Sequence, residues 1–260
     1  MSHATYSPSA ASRWMECPGS VPLSADIHAT GSEHNVYTAS GSVIHALGEM
    51  ILRAVFLDKE DYRGILDDAL TQHWVYYVDD LPNEFAIMPV TEDMVTQAEQ
   101  YLYHVRSLVN DDDIIGIETR LEYSDDLFGT ADLVLIGEKR MVICDLKTGA
   151  GNIVSPVENK QLMTYAGMAL KTLKQFPEEV HLAIVQPPDE ENPLKVWKTT
   201  PDVIWNHMNL VLLSMESTYL SAGTHCRWCP ARASCTELHA LATNAASLDL
   251  DGLTPAGWKD

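Results

Sequence analysis

Two aspartates thirteen residues apart, Asp132 and Asp145, stand inside otherwise apolar stretches: Gly129-Thr-Ala-Asp-Leu-Val-Leu and Val142-Ile-Cys-Asp-Leu-Lys-Thr-Gly. An unpartnered carboxylate in such a place is costly, so any fold for this chain must bring both acids to a partner. Ile114 to Tyr123, Phe128 to Ile136 and Met141 to Leu146 read as strands, and Gly137-Glu-Lys-Arg140 reads as the turn that makes the last two a hairpin. Across that turn the carboxylates can converge. Such a pair suits a hard divalent cation with positions left for water. Lys147 lies two residues past Asp145 and points to the same face. There it could orient or deprotonate a water, or neutralise a developing oxyanion. Either acid alone also fits a loop cap, and the three together fit a structural ion triad.

Further polar residues sit where they could join this hairpin. Glu118, on the preceding strand, could be a ligand or pair with Arg120 or Lys147. His45 lies beside the apolar face of a helix, as a core histidine or as the imidazole of a mixed His/Asp/Asp site. Gln161 and Tyr165, four apart on a helix, share one face and could grip a phosphate or base, or simply be half-buried.

The rest of the chain frames these residues. Ser7-Pro8 starts a short helix that ends at Cys17-Pro18-Gly19. Periodicity predicts helices over Ser40–Leu57, about 62–78 and about 91–109, then Pro156–Lys174 and Pro201–Leu220. Val180–Gln186 and Leu194–Thr199 read as strands around a Pro-Pro-Asp loop. The order implies a mixed α/β domain with a central sheet. One domain over 1–243 is expected: a mainly helical part to 110, a sheet core over 111–200, and a helix with cysteines over 201–243. Residues 244–260 read as a flexible tail.

Charge limits the partners. The 37 acids and 17 bases give −20, and residues 1–138 hold 24 of the acids against 6 bases. An evenly basic surface that coats nucleic acid is excluded. Near-neutral 139–198 is the stretch where a polyanion is not repelled. No apolar run approaches a membrane span and no secretory signal is seen, so a cytoplasmic address is the expectation.

Taken in order, Gly41-x-x-x-His45, Gly129-Thr-Ala-Asp132, Asp145-Leu-Lys147-Thr-Gly149 and Gln161-x-x-x-Tyr165 resemble the RecB-type branch of the PD-(D/E)xK nuclease superfamily. The segment Arg13-Trp-x-x-Cys17-Pro-Gly-Ser20 also looks like phage- and prophage-encoded allies of that branch. The resemblance implies a restriction-endonuclease-like core: a central mixed sheet flanked by helices. It implies cleavage of DNA phosphodiesters with Mg²⁺ or Mn²⁺ held by His45, Asp132, Asp145 and the Leu146 carbonyl. Lys147 would assist the water, with Gln161, Tyr165 and Glu118 completing the catalytic set. The expected activity is that of an exonuclease on single-stranded or frayed DNA ends, in the host cytoplasm if phage-encoded. The acidic surface confines DNA contact to a track near Lys139, Arg140, Lys160, Lys171, Lys174 and Trp228. The competing reading is an interaction module whose acidic face binds a recombinase or another replication protein; a homo-oligomer is compatible with either.

Five cysteines, an odd number, argue against a disulfide framework. Cys226-x2-Cys229-x5-Cys235 supplies three thiolates in ten residues, and a fourth ligand is needed. The pattern of one distant and three clustered cysteines resembles the iron–sulfur staple of AddB-type helicase–nucleases. That resemblance implies a [4Fe–4S] cluster on Cys17, Cys226, Cys229 and Cys235. Zn²⁺ is the alternative, with His225 or His239 able to replace Cys17.

Overall fold

The structure is a computed structural model that describes residues 4–25, 27, 36–77, 85–149, 151–173 and 176–246. Lys174 and residues 247–260 of the expected tail lie outside the described residues.

A five-stranded sheet organises the chain. Its strands are β3 (Ile114–Ser124), β4 (Leu127–Ile136), β5 (Arg140–Leu146), β6 (Glu179–Val185) and β7 (Leu194–Thr199), side by side in that order. Every neighbouring pair is antiparallel except β5/β6, which is parallel. The antiparallel β4–β5 hairpin closes with the Gly137 N–H donating to the Arg140 carbonyl at 2.9 Å. The parallel step needs a crossover, and α6 (Lys160–Thr172) supplies it. The mixed α/β architecture with helices on both faces is thus as expected.

Each face of the sheet carries a core. On one side α3 (Val36–Leu52) and α5 (Glu92–Arg106) pack Ile44, Leu47, Ile51, Ala98 and Leu102 onto Leu133, Leu135, Val142 and Leu146. On the other, α1 (Ala11–Trp14), α6 and α7 (Pro201–Met215) pack Trp14, Leu162, Met168 and Met208 onto Met141, Ile143, Leu182 and Ile184. Alternation along β5 divides its residues between the two cores. The α5 helix starts where Thr91 Oγ1 accepts the Met94 N–H, with Glu92 and Asp93 in its first turn.

Three expectations need correcting. The region predicted as one helix over 62–78 splits into α4 (Arg63–Ala69) and β1 (His73–Tyr77), and β1 pairs antiparallel with β2 (Phe85–Pro89). Residues 73–77, His-Trp-Val-Tyr-Tyr, are strand formers, and a partner strand overrides the helical continuation. The helix predicted from Pro156 starts at Lys160, because the Asn159 side chain caps it by accepting the Leu162 N–H. The final helix α8 runs Thr236–Ala246, into the predicted tail. In addition, Val36–Asp58 is long and apolar enough to cross a membrane by length and composition. Here its apolar face packs on α5 and the sheet.

Candidate active site

Both layers deliver side chains to one end of the central strands. From α3, His45 Nδ1 reaches Asp132 Oδ2 at 3.5 Å. Asp132 Oδ2 accepts the Leu146 N–H at 2.7 Å, which ties β4 to the end of β5. Ligand atoms of His45, Glu118 and Asp132 all lie within 4.8 Å of one another, the one such group of His, Cys, Asp and Glu among the described residues.

Glu118 reaches this group through a backbone irregularity. Ile117 pairs with Leu133 and Thr119 with Ala131, so Glu118 falls opposite Asp132. Its φ of 46° is left-handed, which is rare and strained for a non-glycine residue in a strand. The neighbouring Ile117 carbonyl accepts from Arg53 Nη2 at 3.2 Å, and Arg53 is held by Glu49 at 2.8 Å. Arg53 opens the π-helical extension of α3, Arg53–Asp58. Such wide turns recur at functional sites. Glu118 makes neither of the ion pairs considered from sequence: Arg120 goes to Glu122 and Lys147 to Asp145.

Beside this group sits a closed ring of three side chains. Lys147 Nζ is 2.8 Å from Asp145 Oδ2 and donates to Gln161 Oε1 at 3.0 Å. Gln161 Nε2 donates to Asp145 Oδ1 at 2.7 Å. Asp145 is therefore oriented by Lys147 and by Gln161 from α6, beside the His45–Glu118–Asp132 group. Tyr165 packs one turn further along α6. A Cβ on Gly129 would stand 3.1 Å from its ring, so the small residue in the Gly-Thr-Ala-Asp stretch makes room for the phenol. Likewise, a Cβ on Gly41 would meet Thr148 Oγ1 at 3.0 Å, so that glycine lets α3 approach the loop after Lys147.

The electrostatics leave the site short of positive charge. Burial first, then the neighbouring Asp145, pushes the Asp132 carboxyl well above the usual carboxylate range. Burial and Glu49 raise Glu118, while Arg53 acts against them. Burial lowers His45, which favours a neutral imidazole able to ligate. Two mouths lead in. One, about 550 Å³, is lined by Gly41, His45, Glu49, Glu118 and Thr148. The other is lined by Lys147, Ser155, Asn159, Lys160 and Gln161. It adjoins a groove that shares Ser12 and Lys160 and ends at Trp228.

Of the expected DNA contacts, Lys160 and Trp228 flank this groove; Lys160 is ion-paired with Glu16. Lys139, Arg140 and Lys171 have protein partners of their own, and Lys174 lies outside the described residues. Arg140 is committed to Asp113 at 2.7 Å and to the Leu108 carbonyl at 2.6 Å. It and Lys139, which faces Glu178, stand at the hairpin turn, the opposite end of β5 from Asp145. Lys171 is anchored on Tyr123, through the carbonyl and over the ring at 4.1 Å.

At the far side, Cys17, Cys226, Cys229 and Cys235 are all free, all buried and line one small pocket. The Ser221 N–H donates to Cys17 Sγ and the Gly223 N–H to Cys226 Sγ, each at 3.3 Å. Cys144 is buried in β5, away from them.

Fold and site together describe an α/β protein whose mixed sheet gathers a histidine, acids and a lysine at its centre. The chain belongs to the family described as Protein of unknown function (DUF2800), whose model matches residues 3–254. Among solved structures, SSO0001 is similar at 12% identity, over 56% of this chain and 70% of that one, with a TM-score of 0.33. An alkaline exonuclease, LHK-Exo, from Laribacter hongkongensis is similar at 11% identity, over 80% of this chain and 99% of that one, with a TM-score of 0.31.

Sequence reasoning missed Glu49, Arg53 and Gln186. Glu49 and Arg53 carried a signal, an acid and a base four apart on a helix that already held His45.

Proposed function

We propose that the protein is a metal-dependent DNA nuclease of the RecB-like PD-(D/E)xK type, acting on single-stranded or frayed ends. The observation that carries this reading is the convergence of His45, Glu118 and Asp132 beside the Asp145–Lys147–Gln161 ring. An imidazole with hard oxygen donors, short of positive charge, fits Mg²⁺ or Mn²⁺. His45, Glu118 and Asp132 would hold the ion, with Asp145 and the Leu146 carbonyl adjacent. Such an ion lowers the pKa of a bound water and polarises a phosphoryl oxygen. Lys147, fixed by Asp145 and Gln161, stands where it can orient that water or meet charge developing on the phosphate. The groove past Lys160 to the exposed Trp228, with Arg227 5.0 Å over its ring, suits a strand whose bases are free to stack.

The cysteines fit a [4Fe–4S] cluster on Cys17, Cys226, Cys229 and Cys235. Four buried thiols share one pocket, and backbone N–H groups point at two of the sulfurs, contacts of the kind that tune a cluster's potential. The cluster's role is to clamp the two chain regions together.

The test is cleavage of end-labelled single-stranded and duplex DNA with Mn²⁺, comparing the wild type with Asp132→Ala and Lys147→Ala. The wild type is expected to cut, and Lys147→Ala to lose about 10²- to 10⁴-fold in rate while still binding Mn²⁺. Asp132→Ala is expected to lose both. A folded wild type that cuts neither substrate would leave the interaction module as the better reading.

A further inference from the structure

Gln186 directly follows β6, the parallel neighbour of the strand that carries Asp145, and is 2% exposed. Its Nε2 donates to the Gly149 carbonyl at 2.7 Å and to the Asn152 carbonyl at 2.8 Å. Its Oε1 accepts the Val154 N–H at 3.0 Å. The backbone of Gln186 is fixed too: its N–H donates to the Pro193 carbonyl at 2.7 Å, and its carbonyl accepts the Asp189 N–H at 2.9 Å. Two carbonyls on one side and one N–H on the other are satisfied by a primary amide in this orientation, not by a carboxylate or a thioether.

The three residues it holds belong to the connection between Lys147 and α6. Lys147 itself is tied to β6 through its N–H, which donates to the Val185 carbonyl at 2.8 Å. Beyond it, Gly149 and Gly151 give the chain little stiffness of its own. Yet the Lys147 amine must meet Gln161, on the far side of this connection, at 3.0 Å. Ile153 and Val154, carried by the same connection, line the mouth that opens on Lys147.

We infer that Gln186 is a positioning residue: its amide fixes the connection after Lys147 and thereby sets the lysine amine against Asp145 and Gln161. The inference rests on the reading of Lys147 as the group acting beside the scissile phosphate. Gln186 touches none of the reacting groups. A buried amide with these donors and acceptors all engaged is a high-stakes network: a partial replacement leaves carbonyls without donors.

The experiment compares the full-length wild type with Gln186→Met and Gln186→Glu. Three quantities are read on each: Mn²⁺-dependent kcat and KM on a single-stranded oligonucleotide, Mn²⁺ half-saturation, and the rate at which an amine-reactive reagent labels Lys147. Gln186→Met is expected to lower kcat about 10- to 100-fold and to speed Lys147 labelling. The Mn²⁺ half-saturation stays within about twofold, because His45, Glu118 and Asp132 sit on other elements. Gln186→Glu is expected to be the more severe, since it sets a carboxylate against two carbonyls. Lowered thermal stability with kcat and labelling at wild-type values would overturn the inference and leave a purely structural tie. If the wild type cleaves nothing, the nuclease reading fails separately. Labelling then still decides: faster in the variant upholds the positioning of Lys147, unchanged overturns it.

Discussion

Glu118 holds a backbone conformation that costs roughly 1 kcal/mol or more for a residue with a Cβ, and it does so with a half-buried carboxyl pushed toward its neutral form. Stability alone gives no reason for either. Glu118→Gly is therefore expected to keep or raise thermal stability, by up to about 1 kcal/mol, while weakening Mn²⁺ binding at least tenfold. Thermal melts and a Mn²⁺ titration by calorimetry check the pair of outcomes. A variant that melts lower and binds Mn²⁺ normally would remove Glu118 from the site. At this scale much was legible. Asp132, Asp145 and Lys147 betrayed themselves as charges in or beside apolar strands, while Gln161 was legible only as one of a polar pair on a helix face, not as the partner that joins Asp145 to Lys147. The positive φ at Glu118 was not legible, because an ordinary Glu in an Ile-Gly-Ile-Glu context carries no mark of a local flip. Gln186 was not legible either: its three partners are loop backbone atoms, identified only once the loop is placed.

The elements themselves were readable where a local pattern decided them. The β3–β4–β5 meander follows from alternation and a tight turn, and α5 from its cap and periodicity. β1 was misread because five aromatic and β-branched residues fit a strand or a helix end, and a partner twelve residues away made the choice. The contact between α6 and α7 yields a pH prediction. The single Thr164 hydroxyl proton goes to the Lys160 carbonyl at 2.6 Å, so His207 must donate to Thr164 across the 3.0 Å contact, as a neutral ring protonated on Nε2. Burial, reinforced by the Lys160 charge, lowers the His207 pKa to about 4. An unfolded histidine titrates near 6.5. Between these values the unfolded chain binds the extra proton, so stability falls as the pH drops from about 6.5 to about 4. Denaturant melts at pH 7 and pH 4.5 should show His207→Gln losing about 2 kcal/mol less than the wild type over that interval. Equal losses would mean that His207 is protonated in the folded state.

At the scale of the whole molecule, the N-terminal segment is seated against the C-terminal one. The Tyr6 hydroxyl donates to the Met215 carbonyl at 3.1 Å, the Gly19 N–H donates to the Tyr219 carbonyl at 2.8 Å, and Cys17 joins the pocket of the three late cysteines. A metal group there closes a loop of about 210 residues, which the chain-entropy estimate values at about 5 kcal/mol. Cys17→Ser, or stripping the metal by chelation, is expected to lower the melting temperature markedly. It should also bleach the colour of anaerobically purified protein. An unchanged melting curve would deny the clamp, and a colourless protein with stoichiometric zinc would replace the cluster. The cysteine spacing was legible in the sequence. The resemblance already joined Cys17 to those cysteines; the contacts of Tyr6 with Met215 and of Gly19 with Tyr219 were not legible, because nothing local records them.

The same arrangement has a consequence in time. Trp14, fully buried against α6 and α7, is made nearly 200 residues before Met208 and Val211 of the same core. At roughly 5–20 residues per second, the indole and the Cys17 thiol wait on the order of 10 to 40 seconds before their surroundings exist. During each round of translation the nascent chain therefore presents an unsheltered aromatic residue and a bare thiol. That makes the nascent chain a natural client for holding chaperones, and it puts delivery of any metal group after Cys235 has left the exit tunnel.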